Sequence, residues 1–499
     1  MMEMIKANLP VFIIIAPLVV AFLLPTFARK LKFVENLVIF VQVLMFAGIG
    51  YLAYIVFSRT LGETGMSYRF GGWPAPWGIE LKIGNLAVFF LLVIVSVGLP
   101  VALFSKGNLE KEIGAKERVT RFYVLFLLLC AAMAGMALTN DLFNVFVLVE
   151  VATLSCCGLV SSRNHPRAAE AAFTYLILAT LGSALILGGI GFIYITTGHL
   201  NMGFASEGLG HVWRESSHVV WLSASFLLVG FGVKSALFPL HIWLPDAHST
   251  APSPASAILS GLAVKGYFIC LLKFLYNVFG ITLLREFGID KILVIAGSIS
   301  IIAGSLAAIK QKELKRRLAF STVAQIGYIF LGLGLMNEAG FSGMLFYLAS
   351  HAIIKSTLFL AAGAMINATG KSKINDLAGI GRKMPVTMAA FTVASLGLVG
   401  IPLFSGFIGK WNLLLGCFDS QAIFPIIVII AGSVLCAAYL FPIIRIAYFE
   451  PSPKTELQDP GPSQKLAFVL LVSAIIILGV VPGPLLELAK RAATELMML

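Results

Sequence analysis

Gly230-Phe231-Gly232-Val233-Lys234-Ser235-Ala236-Leu237-Phe238-Pro239 sits late in an apolar run long enough to cross a bilayer. Proline has no N–H for the carbonyl four residues back, and its ring clashes there, so Pro239 frees the Ser235 carbonyl beside Lys234. A freed carbonyl at membrane depth must be satisfied by protein or water, and an ionised side chain at mid-bilayer costs at least about 2.5–3.5 kcal/mol. A discontinuous helix with a hydrated break next to an ammonium group suits an ion path. The plainer reading is a kink at Pro239 in a packed helix, with Lys234 snorkelling to the interface.

A second stretch repeats this logic. Val399-Gly400-Ile401-Pro402-Leu403-Phe404-Ser405-Gly406-Phe407-Ile408-Gly409-Lys410-Trp411 contains Pro402, three glycines, a serine and then Lys410. Two broken helices, each with a lysine, five crossings apart and starting from opposite sides, are the pattern of an inverted-topology repeat.

Composition agrees with a membrane setting. The 499 residues are 59% hydrophobic and only 12% charged, with a mean hydropathy of +0.95, whereas soluble domains carry roughly a quarter charged residues. Span-length apolar runs fall near 9–28, 34–58, 86–105, 121–139, 142–162, 170–196, 219–239, 254–277, 289–309, 316–336, 342–367, 385–416, 422–448 and 465–487. The expected fold is therefore all-α and polytopic, with about 14 transmembrane helices, two inverted five-helix repeats, and breaks in helices 7 and 12. Continuous apolarity excludes the alternating strands of a barrel. The corresponding division is 1–120 for helices 1–3, 121–280 for the first repeat, 281–450 for the second, and 451–499 for helix 14. The first run is too long for a signal h-region and is expected to be the first span.

Formal charge is +12, which in a soluble chain would suggest nucleic acid; here the basic residues orient the chain instead. Loops after odd-numbered spans hold more than twice as many Lys and Arg as the opposite side, so those loops are expected to be cytoplasmic and both termini extracytoplasmic. A prokaryotic inner or plasma membrane is the expected location. Cys130, Cys156, Cys157, Cys270, Cys417 and Cys436 lie inside apolar runs without metal-ligand spacing, as small buried hydrophobes do. Neither an iron–sulfur cysteine cluster nor a nucleotide-binding glycine loop is present, so no cofactor or metal is expected.

Six basic residues fall inside the runs: Lys234, Lys265, Lys273, Lys355, Lys410 and Arg445. Glu150, flanked by valines and leucines, needs a basic partner to stay ionised, and Lys234 is the candidate; a static packing pair is the alternative. Lys265 lies too deep to snorkel, whereas Lys273, nearer an end, suits an interface anchor. His351 and Lys355 share a helix face at i and i+4 and suit a proton relay, or His351 is a satisfied core histidine. Between the spans, His241, Asp246 and His248 lie in a loop without Lys or Arg. That loop is either a polar access path toward Lys234 or a rigid proline-rich turn, and it lacks a third strong metal ligand.

These residues sit in motifs. Lys234 through Lys265, with Pro-Leu-His-x-Trp-Leu-Pro-Asp-Ala-His-Ser at 239–249 and Ala-Pro-x-Pro-x-Ser at 251–256, resembles the signature of the antiporter-like subunits of respiratory complex I. Mrp-type sodium/proton antiporters and energy-converting membrane-bound hydrogenases share that family. Asn-x-Phe-Val-Leu-Val-Glu at 144–150, the run from Lys312 to Tyr328, and His-Ala-x-x-Lys at 351–355 extend the resemblance over nearly the whole chain. It implies a central hydrophilic axis parallel to the membrane. It also implies that Glu150 and Lys234 form the first half-channel, Lys265 links the halves, His351 lies on the polar eleventh helix, and Lys410 is the terminal site. The long lateral helix of the largest complex I member is not expected, and the Ala-Pro-Ser-Pro run leans toward the Mrp and hydrogenase types.

The expectation is a subunit that moves protons, with sodium coupling open, in a larger assembly with homologous antiporter-like subunits in a lipid bilayer. Any enzyme activity would belong to the assembly. A non-conducting scaffold and a stand-alone carrier are the competing readings; the line of isolated lysines favours small ions over a larger solute.

Overall fold

The computed structural model describes residues 2–58, 66–163, 165–451 and 457–497, with side chains from residue 8 onward. Three helices open the chain: α1 (Met2–Leu23), α2 (Leu31–Phe57) and α3 (Asn85–Ser105). The short α4 (Leu109–Ile113) follows, then α5 (Lys116–Leu138), α6 (Leu142–Ser161), α7 (Pro166–Thr197), the 11-residue α8 (Met202–Val212) and α9 (Ser217–Lys234). After α10 (Trp243–Thr250) comes the long α11 (Ser253–Glu286), with π-helical turns at Leu259–Ala263 and Leu275–Phe279. The second part holds α12 (Ile289–Lys310), α13 (Leu314–Leu335), α14 (Glu338–Thr369), α15 (Pro385–Val399), α16 (Ser405–Asp419) and α17 (Ile423–Phe449). The chain then continues through α18 (Pro462–Val480) and α19 (Gly483–Met497).

Among the described residues, 13 helices are long and apolar enough to cross a membrane. The shorter α15 and α16, of 15 residues each, together supply the broken crossing expected over 385–416. The chain is thus a multi-pass membrane protein of nearly all-helical fold. Burial grades inward: the most apolar window of α14 is wholly buried, whereas those of α1, α2 and α18 are one-third buried. Central α14 is therefore surrounded by protein, and the outer helices turn apolar faces outward.

Four details depart from the sequence reading. A two-stranded ribbon, β1 (Met66–Arg69) with β2 (Glu80–Ile83), pairs antiparallel in the connection between α2 and α3. The segment 241–256, read as a loop, contains α10. The last crossing ends at Val480 and gives way to the strongly amphipathic α19, whose Leu488, Ala489, Ala492, Ala493 and Leu496 are buried. Glu495 of α19 accepts hydrogen bonds from the Asn85 backbone N–H (2.8 Å) and side chain (3.2 Å), at the start of α3. Finally, Arg445 lies near the end of α17 with its side chain 72% exposed, facing Glu450 at 3.9 Å, so it is not among the buried bases.

The ribbon is fastened by Glu80, whose carboxylate accepts from Ser67 Oγ (2.5 Å), Asn140 Nδ2 (3.0 Å) and Asn201 Nδ2 (3.1 Å). Burial alone would raise its pKa; the three hydrogen bonds outweigh that and hold it below 4.5. A depressed folded pKa contributes stability that is present above the ordinary value and lost as pH falls through the folded one. The protection of the ribbon amides, their exchange relative to the intrinsic rate at each pH, is therefore expected to be high at neutral pH and to fall below about pH 4.5. Glu80→Gln should abolish that dependence.

Glycine sets the closest helix contacts. A Cβ on Gly297 of α12 would lie 2.6 Å from the Gly327 carbonyl oxygen of α13, and one on Gly327 would lie 2.5 Å from the Gly297 oxygen. Gly304 and Gly334 meet backbone across the same pair at 2.6 Å. Such small-residue seams let backbones approach where lipid offers no hydrophobic drive to association.

Candidate functional site

The site is a set of buried amines carried by α9, α11, α14 and α16. Lys234, Lys265, Lys355 and Lys410 are each no more than 4% exposed. At one end, Lys234, the last residue of α9, lies 3.5 Å from Glu150 Oε1 on α6 and donates to Thr153 Oγ1 at 2.6 Å. Ser183 of α7 donates to the same Glu150 oxygen. The Lys234 ammonium also sits over the Tyr267 ring, 5.6 Å from its centroid, and Tyr267 Oη is 3.4 Å from Thr153 Oγ1. The expected Glu150–Lys234 pairing is therefore present, with a hydroxyl and phenol shell that the apolar sequence context concealed.

The break after Lys234 differs from the sequence account. The helix ends at Lys234 itself, and Ala236 adopts a left-handed conformation (φ 56°) before Pro239 is reached. Beside the break, the Val233 carbonyl accepts from the Trp243 indole at 2.9 Å. His241, half-buried between Phe238 and Phe320, stands apart from these amines.

Asp246 and His248 lie on α10 and face the second half rather than Lys234. Asp246 pairs with Arg316 of α13 at 2.6 Å, on the wall of a polar cavity of about 620 Å³. His248 is fully buried and stacked on Phe359 at 4.7 Å, close enough to Lys355, Lys315 and Lys265 to feel their charges. Lys315, grouped with the loop residues by sequence position, is a fifth buried amine and donates to the Ala251 carbonyl at 2.6 Å.

In the centre, Lys265 donates to the Ser260 carbonyl of its own helix. The π-helical turn over Leu259–Ala263 disturbs the regular ladder there and makes that carbonyl reachable. Ser260 Oγ is 2.9 Å from Thr322 Oγ1 of α13. Lys355 of α14 donates to the Leu318 carbonyl (2.5 Å) and Ser321 Oγ (2.6 Å). His351 is fully buried, stacked on Tyr347 at 6.2 Å, and neither ring nitrogen has a hydrogen-bond partner among the described residues. It lies within electrostatic reach of Lys265, Lys355 and Lys410 together.

Lys410 marks the far end. From α16 it reaches back across the break and donates to the Leu398 and Val399 carbonyls, 3.0 Å each, at the close of α15. Ser433 Oγ completes its shell at 3.0 Å, and the Tyr328 and Tyr347 rings lie 4.7 and 5.8 Å from the ammonium. Gln325 ties this shell together, accepting from Tyr347 and donating to Tyr439 Oη at 3.0 Å. The turn at Pro402 requires left-handed backbone at Gly400 (φ 92°) and Leu403 (φ 76°).

Lys273 is not an interface anchor. It is 5% exposed, and its ammonium donates to the carbonyls of Met136 (3.2 Å), Ala137 (3.3 Å) and Thr139, binding the C-terminal end of α5. A cation there complements the helix dipole. Among the described residues no group of His, Cys, Asp and Glu could hold a metal ion.

Residues 139–436 match the family described as NADH:quinone oxidoreductase/Mrp antiporter, TM. NADH-quinone oxidoreductase subunit N of Desulforudis audaxviator is 36% identical over 492 residues, covering 95% of this chain and 94% of that protein. A Na(+)/H(+) antiporter subunit of Alkalihalophilus pseudofirmus is 29% identical, with 98% and 97% covered. Among solved structures, a chain of the archaeal membrane-bound sulfane sulfur reductase superposes with a TM-score of 0.89 at 29% identity, covering 98% of this chain and 97% of that one. These relatives are subunits of multi-subunit membrane complexes, and on the extent of the family match this chain belongs to the NADH:quinone oxidoreductase/Mrp antiporter membrane-subunit family.

Proposed function

We propose that the chain is a proton-translocating subunit of a larger membrane assembly, moving protons between Lys234 and Lys410 through Lys265, His351 and Lys355. One observation carries this reading: Lys265, Lys355 and Lys410 are buried without a carboxylate partner in ion-pair range among the described residues, and each donates to carbonyl or hydroxyl oxygens. Lys273 is also buried without a carboxylate, but it caps the end of α5; Lys265, Lys355 and Lys410 instead gather around His351, each within electrostatic reach of it. Unpaired amines that feel one another's charge disfavour simultaneous protonation, so a proton arriving at one eases release from the next. His351, with neither nitrogen committed, is placed to pass it.

In this scheme Lys234 exchanges protons with one side, Glu150 tunes its affinity, and Lys410 exchanges with the other. His248 and Asp246 form an access path to the central amines from the polar cavity. The two halves are inverted repeats. In support, each broken helix packs on the preceding long one through a glycine: a Cβ on Gly230 would meet the Gly182 oxygen at 2.7 Å, and one on Gly409 would meet Tyr347 Cα at 2.7 Å. Homologous antiporter-like subunits are the natural neighbours, and the driving force comes from them or from a redox module. Loops after odd-numbered crossings are cytoplasmic, and both termini are extracytoplasmic.

Lys410→Ala in the assembled complex, reconstituted in sealed vesicles, is expected to reduce proton translocation to background while assembly persists. Titrating sodium in the same assay separates proton transport from sodium/proton exchange. Unchanged translocation would leave a non-conducting scaffold.

A further inference from the structure

Away from the buried amines, a cavity of about 970 Å³ opens where the α1–α2 turn, the end of α3, the start of α5 and the start of α18 meet. Arg29, Lys30 and Lys32 come from the turn, Lys106 from the end of α3, and Lys116 from the start of α5. None of the five forms an ion pair with a described acid; Lys106 donates to Asn36 Oδ1 at 2.8 Å. Two acids line the same cavity. Glu35 is buried and accepts from the Gly107 N–H at 2.9 Å, closing the turn after α3, and Glu110 is exposed. The balance is a concentrated excess of positive charge converging from separate parts of the chain.

Depth in the bilayer is fixed by the neighbouring surface. Phe33 lines the cavity and is 47% exposed; Phe40, two helical turns further into the membrane on the same face of α2, is 57% exposed. On α18, Leu466 and Leu470 are likewise exposed, and both helices pack on the buried α3. A cationic basin thus adjoins apolar side chains that continue into the span.

We propose that this basin binds the headgroup of an anionic phospholipid, whose acyl chains lie along the outward faces of α2 and α18. A phosphate diester supplies negative charge for the surplus of five cations over two carboxylates, and the apolar surface requires the ligand to carry hydrocarbon. Clusters of basic residues at the cytoplasmic end of spans attract anionic lipid in this way. The assignment of that side rests on the orientation proposed above; the binding chemistry does not.

The test uses the full chain purified in detergent. Native mass spectrometry of the wild type is expected to show one retained anionic phospholipid, and added phosphatidylglycerol should raise the melting temperature more than phosphatidylcholine does. In K30Q/K32Q/K116Q, about a tenfold weaker response is expected, with the same melting temperature in lipid-free detergent, because these three side chains are exposed. Equal responses to both lipids, an equal response to inorganic phosphate alone, or full retention in the triple variant would each overturn the proposal. So would cross-linking that finds another protein filling the basin in the native complex. These outcomes are independent of proton translocation, so failure here is distinguishable from failure of the relay.

Discussion

Lys234→Ala is expected to bring ion translocation by the assembled complex to background, and Lys234→Arg is expected to do the same. The second variant carries the sharper meaning. Arginine would keep the charge opposite Glu150 and a donor for Thr153, but its guanidinium does not release a proton. A structural ion pair would survive that exchange; a relay would not. Glu150→Ala should act less severely, by roughly tenfold. Opposite charges about 4 Å apart attract by about 4 kcal/mol at an effective dielectric near 20, and the 32% exposure of the Glu150 side chain reduces what the 3.5 Å contact delivers. Proton uptake by sealed vesicles, with complex assembly followed in parallel, checks all three. Normal pumping by Lys234→Arg would remove proton exchange from this residue.

The largest effect on stability is expected at the α12–α13 seam. Gly327→Val would push a branched side chain into the Gly297 carbonyl, 2.5 Å from its Cβ, and into the Ile301 nitrogen at 2.7 Å. Both obstacles are backbone, so neither can rotate away and the helices must separate. Overpacking with movable neighbours costs about 1–3 kcal/mol; here at least about 3 kcal/mol is expected. Loss of folded protein from the membrane, or a large drop in melting temperature, is the readout. Gly191→Ala is the control, because nothing lies within 4 Å of its added carbon.

The crossings and both breaks were legible because a buried lysine beside proline and glycine has few structural explanations in hydrocarbon. The Glu150–Lys234 contact was legible for the same reason: one intramembrane acid needs one base. What stayed hidden was the polar lining. Thr153, Tyr267, Gln325, Tyr328 and Tyr347 are ordinary residues of amphipathic or aromatic helices, and only their convergence gives them roles. Lys315 was hidden by position, since it follows a charged turn and its burial comes from α13 packing against α10 and α11. Lys273 misled in the opposite direction. Its place near a helix end suggests snorkelling, yet the carbonyls of α5 hold it inside. The span count was recoverable from apolar length, but the amphipathic α19 blends into the last run when hydropathy alone is read.

The grip of Lys410 on the end of α15 makes its ammonium a splint across a fracture. Two half-helices of 15 residues each meet there, and the Leu398 and Val399 carbonyls are held by a cation that belongs to the other piece. A charged donor grips a carbonyl about twice as strongly as a neutral one, so removing the proton slackens the joint as well as erasing the charge. On the relay proposed above, a change of protonation at Lys410 would therefore also loosen or tighten the joint between the two rods, and a neighbouring subunit touching either rod would sense a proton as a change of shape.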